Sequence, residues 1–173
     1  MRILQIIGQK DSGKTTLLVA LAREFKRKGK RVMTIKHASH PVDADKQGTD
    51  SWRHFVEGAA ERTLIAAPEQ RVVFERSLDD TDPEALARRY FEGADLVLVE
   101  GFKRFPLPRI EVHRKGIKAP LLFDPSLPNA GDWIAICTDD ATLRADCRVL
   151  RFTDTMWLNV LSSVAWEQAK VLP

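Results

Sequence analysis

The run Gly8-Gln9-Lys10-Asp11-Ser12-Gly13-Lys14-Thr15 limits what this chain can fold into more than any other feature. It has glycine, four residues, glycine, lysine and then a hydroxyl residue, the pattern of a phosphate-binding loop. Its setting gives the pattern weight. Arg2 to Ile7 ahead of it reads as a buried strand. Behind it, Leu17, Leu18, Leu21, Ala22 and Phe25 recur at helical spacing until Lys26, Arg27 and Lys28 lead into Gly29, a cationic last turn and a stop. A glycine-rich turn from a strand into a helix N-terminus points backbone N–H groups at one place, where they suit phosphate oxygens. The plain alternative is such a turn with no ligand, which would leave Lys14 aimed at a ring of amides with no anion to meet.

Apolar runs alternate with helical patterns through most of the remaining chain, as a parallel sheet with crossover helices requires. Strands are expected at Arg31 to Lys36, Thr63 to Ala66, Arg71 to Glu75, Asp95 to Val99, Arg109 to His113, Trp133 to Cys137 and Val149 to Phe152. The pair around Pro68 reads as a hairpin, which would make part of the sheet antiparallel. Helices are expected after Asp50 as cap, with Trp52, Phe55, Val56 and Ala59 on one face, and from Asp82-Pro83 through Tyr90. A closing helix is expected from Thr155 to Lys170, with Trp157, Val160, Leu161 and Val164 facing inward. A polar loop runs from His37 to Thr49 and includes Pro41. Residues 116–131, rich in proline, read as irregular and as a candidate partner surface. The expectation is a three-layer α/β fold of the P-loop NTPase type, with a mostly parallel twisted sheet and some antiparallel strands, in a single nucleotide-binding domain over residues 1–173.

Within the loop, Gly8 and Gly13 leave room for phosphate, and Lys10, Asp11 and Ser12 form the rest of the cradle. Lys14 is the residue to reach the β- and γ-phosphates, Thr15 to ligate magnesium, and Thr16 to meet the α-phosphate. Magnesium needs further oxygen ligands, and ligands of α/β sheets collect at the C-terminal ends of strands. Glu100 ends the strand Leu96-Val97-Leu98-Val99 and is the first candidate. Asp43 and Asp45 follow the second strand, and Asp45 is preferred, both for the metal and to orient water. His37 and His40, with these aspartates, have the composition of a transition-metal site, though no cysteine lies near them. No Asn-Lys-x-Asp run is present to read guanine. Asp139, after the strand ending near Cys137, could accept from the N1 and N2 groups of that base or simply form a turn. Arg88 and Arg89 on a helix read as surface charges rather than as arginine fingers.

Charge excludes little else. The 27 basic and 24 acidic residues leave a formal +3 spread over 173 residues, with only Lys26 to Arg31 forming a dense run, which is too weak to argue for nucleic acid. No stretch approaches the length of a membrane span, and the start carries no leader pattern. Cys137 and Cys147 read as free thiols in a reducing compartment, so a cytoplasmic protein is expected.

Gly8 to Leu17, then Ile35-Lys36-His37-Ala38-Ser39-His40 with Asp43-Ala44-Asp45 and Gly48-Thr49-Asp50-Ser51, then Leu98-Val99-Glu100-Gly101-Phe102-Lys103, together resemble the MobB family, molybdopterin-guanine dinucleotide biosynthesis protein B. The likeness runs in order over about two thirds of the chain. It implies a homodimeric GTP-binding adapter with weak hydrolysis, acting beside the molybdenum cofactor guanylyltransferase that joins GMP to molybdopterin. It further implies that Lys14 and Thr15 hold GTP and Mg2+, that Asp45 and Glu100 complete the metal site, and that Glu100 to Lys103 present a surface to the pterin or to the partner. Two other readings stay open on the same fold: a small-molecule kinase that prefers ATP, and a metallochaperone GTPase that uses His37 and His40.

Overall fold

The strand β1 (Arg2–Gly8) is buried along almost its whole length, which only a sheet covered on both faces allows. In the computed structural model, which describes residues 1–40, 42–77 and 82–173, β1 lies at the centre of a seven-stranded sheet. The elements follow in chain order. They are α1 (Lys14–Arg27), β2 (Val32–Lys36), the short α2 (Asp50–Trp52) continued by a π-helical turn (Arg53–Glu57), β3 (Arg62–Ala66) and β4 (Arg71–Glu75). Then come α3 (Pro83–Tyr90), β5 (Leu96–Glu100), β6 (Arg109–His113), β7 (Trp133–Thr138), β8 (Val149–Arg151), α4 (Trp157–Gln168) and β9 (Lys170–Val171).

The chain divides into two compact units, Met1–His37 with Asp82–Pro173, and Ala38–Thr81. The first holds the large sheet, in the order β2-β5-β1-β6-β7-β8, with these neighbours parallel and β9 antiparallel to the start of β1. Alternation along the strands sends Leu4, Ile6, Leu96, Leu98, Ile110 and Val112 to one face, where they pack with Leu17, Leu21 and Phe25 of α1 and Leu161 and Val164 of α4. Ile3, Val97 and Val99 go to the other face and meet Ala87 of α3. The second unit contains α2, its π-helical turn and the β3-β4 hairpin, where Phe55 packs tilted against Phe74 and the Arg76 guanidinium lies over Phe55.

Four expectations need correction. Thr49, not Asp50, caps α2: its Oγ1 accepts the Trp52 N–H, and Asp50 is already helical. The hairpin forms a sheet of its own rather than an edge of the main one. The closing helix stops at Gln168, because Lys170 and Val171 turn extended to pair with β1. Val160 on that helix is exposed, so it does not face inward. Pro41 lies outside the described residues. Both cysteines are free.

Residues 116–131 are irregular up to a 3-10 turn at Ala130–Asp132, as expected, but they are anchored. The buried Glu111 carboxylate accepts the backbone N–H groups of Leu122 and Phe123 at 2.7 and 2.9 Å and the Trp133 indole N–H at 2.9 Å.

Candidate functional site

The turn from β1 into α1 forms because its glycines permit what other residues resist. Gly8 has φ 149°, and a Cβ there would fall on the Val112 carbonyl oxygen and 2.6 Å from Ser12 Oγ. Gly13 caps α1 in the left-handed region at φ 94°. Asp11, exposed at the crown beside Lys10, shares that region at φ 62°. Ser12 is buried, and its Oγ has no hydrogen-bond partner among the described residues. The Lys14 ammonium donates to the Gln9 carbonyl at 2.7 Å, folding back over the loop. Burial holds it below the ordinary lysine range, opposed by the nearby Glu100 carboxylate.

Glu100 is the last residue of β5 and continues the face of Leu96 and Leu98, which packs on α1. Strand alternation therefore carries its carboxylate to the first turn of that helix. There the Thr15 hydroxyl donates to both oxygens, at 3.0 and 2.9 Å, and Lys36 of β2 stands 4.0 Å away. Thr16, next in the turn, is exposed. A hydroxyl and a carboxylate, both hard oxygen donors, sit beside a helix N-terminus. This donor set fits magnesium rather than a soft transition metal. Among the described residues no three His, Cys, Asp or Glu side chains cluster to hold a metal by themselves.

Asp45 belongs to the second unit, where its Oδ1 accepts from Thr49 Oγ1 at 3.0 Å and its Oδ2 is buried without a partner among the described residues. His37 and His40 fall in different units. His37 donates its backbone N–H to the Glu100 carbonyl, and its ring packs tilted at 57° against Phe102, ring centroids 4.7 Å apart. Asp139 follows β7 and is held through both oxygens: Oδ1 accepts the Lys115 N–H at 2.9 Å and Oδ2 pairs with Arg114 at 3.3 Å. Those contacts, the Lys115 N–H first, hold its carboxyl below the usual aspartate range.

Two buried side chains that sequence reasoning passed over shape the loop after Glu100. Gln5, fully buried on β1, donates from Nε2 to the Gly101 and Phe102 carbonyls. Arg109, its register neighbour on β6, donates to the Lys103, Phe105 and Leu107 carbonyls and to Asp132. The only local signal was Gln5, a polar residue in the middle of an apolar strand; Arg109 opens a strand of mixed character and carried none.

The family model for molybdopterin guanine dinucleotide synthesis protein B, MobB, matches residues 3–139. The chain belongs to the MobB family. This MobB-family chain is 38% identical over 120 residues to a molybdopterin-guanine dinucleotide biosynthesis adapter protein of Haemophilus influenzae, an alignment covering 69% of this chain and 67% of that one. It is 35% identical over 114 residues to a putative adapter protein of the same description from Methanocaldococcus jannaschii, covering 64% of this chain and 46% of the relative. It thus spans about two thirds and under half of these two MobB relatives. The crystal structure of Bacillus subtilis MobB superposes with a TM-score of 0.69 at 20% identity, over 99% of this chain and 100% of that one, and so shares the fold.

Proposed function

We propose that this chain binds GTP with Mg2+ on the Gly8–Thr15 loop. In this reading it works as a homodimeric cytoplasmic adapter that assists a molybdenum cofactor guanylyltransferase in attaching GMP to molybdopterin. The observation that carries the reading is the Thr15–Glu100 contact at the N-terminus of α1, since it puts two oxygen donors beside a loop shaped for phosphate. Family membership supplies the adapter role, and residues 1–173 act in it as one nucleotide-binding domain.

Each residue has a task in this reading. The backbone N–H groups of Lys10 to Thr15 donate to phosphate oxygens, and Lys14 leaves the Gln9 carbonyl for the β- and γ-phosphates. Thr16 meets the α-phosphate. Thr15 and Glu100 hold Mg2+, which when bound neutralises phosphate charge. Hydrolysis is weak in this reading. The exposed side of the loop after Glu100 is the surface offered to the pterin or to the transferase.

The test is reconstitution with purified guanylyltransferase, molybdopterin and MgGTP. Dinucleotide formation rises when the wild-type protein is added and does not rise with Lys14→Ala. Equal yields with wild type, variant and no addition would count against the adapter role.

A further inference from the structure

One side chain ties the phosphate loop to the ends of three strands. Arg114 follows β6 directly. Its Nε donates to the Ser12 carbonyl at 3.2 Å, its Nη1 pairs with Asp139 after β7 at 3.3 Å, and its guanidinium lies over the Phe152 ring after β8, 4.2 Å from the centroid. The first of these contacts spans 102 positions of sequence. Stability gives little reason for the arrangement, because the Arg114 and Asp139 side chains are 34% and 41% exposed and ion pairs at such sites contribute little.

Recognition gives a better one. A carboxylate has about four acceptor positions. Lys115 N–H takes one on Oδ1 and Arg114 one on Oδ2, which leaves one on each oxygen. Two acceptors side by side match the adjacent N1–H and N2–H donors of guanine. Adenine offers an acceptor nitrogen there and would leave the carboxylate unpaired. A guanidinium plane already seated on an aromatic ring is a surface on which a flat base can stack.

We infer that Arg114, Asp139 and Phe152 form the base end of the nucleotide site, with Asp139 selecting guanine and Arg114 the platform that couples base recognition to the phosphate loop. This rests on the nucleotide reading above and adds the residues that would choose the base.

Calorimetric titrations with MgGTP, MgXTP, MgATP and magnesium tripolyphosphate, which has no base, test it on wild type, Arg114→Ala, Arg114→Lys and Asp139→Asn. Wild type takes GTP above the other three. Asp139→Asn reverses the order of GTP and XTP, because an amide donor then faces the xanthine O2. Arg114→Ala loses GTP affinity about tenfold more than tripolyphosphate affinity, and Arg114→Lys, which keeps the charge without the plane, falls between. An Arg114→Ala that weakens GTP and tripolyphosphate equally overturns the inference, as does an Asp139→Asn that keeps the wild-type order. If Arg114→Ala fails to fold, the Asp139→Asn order decides. A wild type that binds tripolyphosphate as tightly as GTP overturns the base site and leaves the phosphate site standing, whereas one that binds neither overturns both.

Discussion

The Thr15 hydroxyl donates to both carboxylate oxygens of Glu100, at 3.0 and 2.9 Å, so the first turn of α1 and the end of β5 meet at one pair of oxygen donors. If this pair serves magnesium, Glu100→Gln weakens nucleotide binding only when the metal is present. A loss of about tenfold to a hundredfold in magnesium, with unchanged affinity in chelator, is the expected outcome of paired titrations. An equal loss in both conditions would mean that Glu100 only shapes the loop.

Gln5 gives a second expectation, on stability. Its amide N–H groups meet the Gly101 and Phe102 carbonyls in a fully buried setting. Gln5→Glu sets carboxylate oxygens against carbonyl oxygens and costs roughly 2–4 kcal/mol, whereas Gln5→Leu leaves the carbonyls unpaired but removes the buried, unpartnered Oε1, and costs about 1–2 kcal/mol. Urea unfolding of the two variants measures the difference.

The glycine-rich loop, β1, α1 and Glu100 were legible in the sequence because each rests on local pattern: a run of apolar residues, a helical period, a carboxylate where a strand stops. The contacts of Gln5, Arg109 and Arg114 were not, since they depend on which strands become neighbours. β1 pairs with β5 and β6, from far along the chain, and nothing near Gln5 announces that. The same cause hid β9, whose two residues turn extended only because the start of β1 offers a free edge. Thr49 and Asp50 are both good caps, and local pattern could not choose between them.

Glu111 carries the third expectation. Its carboxylate accepts three N–H donors while 1% exposed, and it joins residues 122 and 123 to β6 and β7. Glu111→Gln replaces one acceptor oxygen with a donor and costs roughly 2–4 kcal/mol, a Tm decrease of about 5–12 °C. Amide exchange in residues 116–131 rises with it. A variant with wild-type Tm would show that the segment is held by its apolar contacts alone.

Asp139 sets a pH dependence. Its carboxyl sits below the ordinary aspartate range, through the Lys115 N–H first and Arg114 next. A group with a depressed folded pKa adds stability that is fully present above its unfolded value, about 3.9, and is lost as pH falls through the folded value. Wild type therefore melts above Asp139→Asn by a constant margin from pH 8 to about pH 5, and the margin closes below about pH 4. Thermal melts across that range check it, and a margin that widens in acid would contradict the pairing.

The central claim is that the Gly8–Thr15 loop binds a nucleoside triphosphate, and the most direct measurement is a calorimetric titration of the purified chain with MgGTP beside Lys14→Ala. Saturable heat at one GTP per chain, abolished in Lys14→Ala while the variant melts within a few degrees of wild type, is the result expected. Absence of heat in the wild type, or a Lys14→Ala curve that overlays it, would contradict the claim.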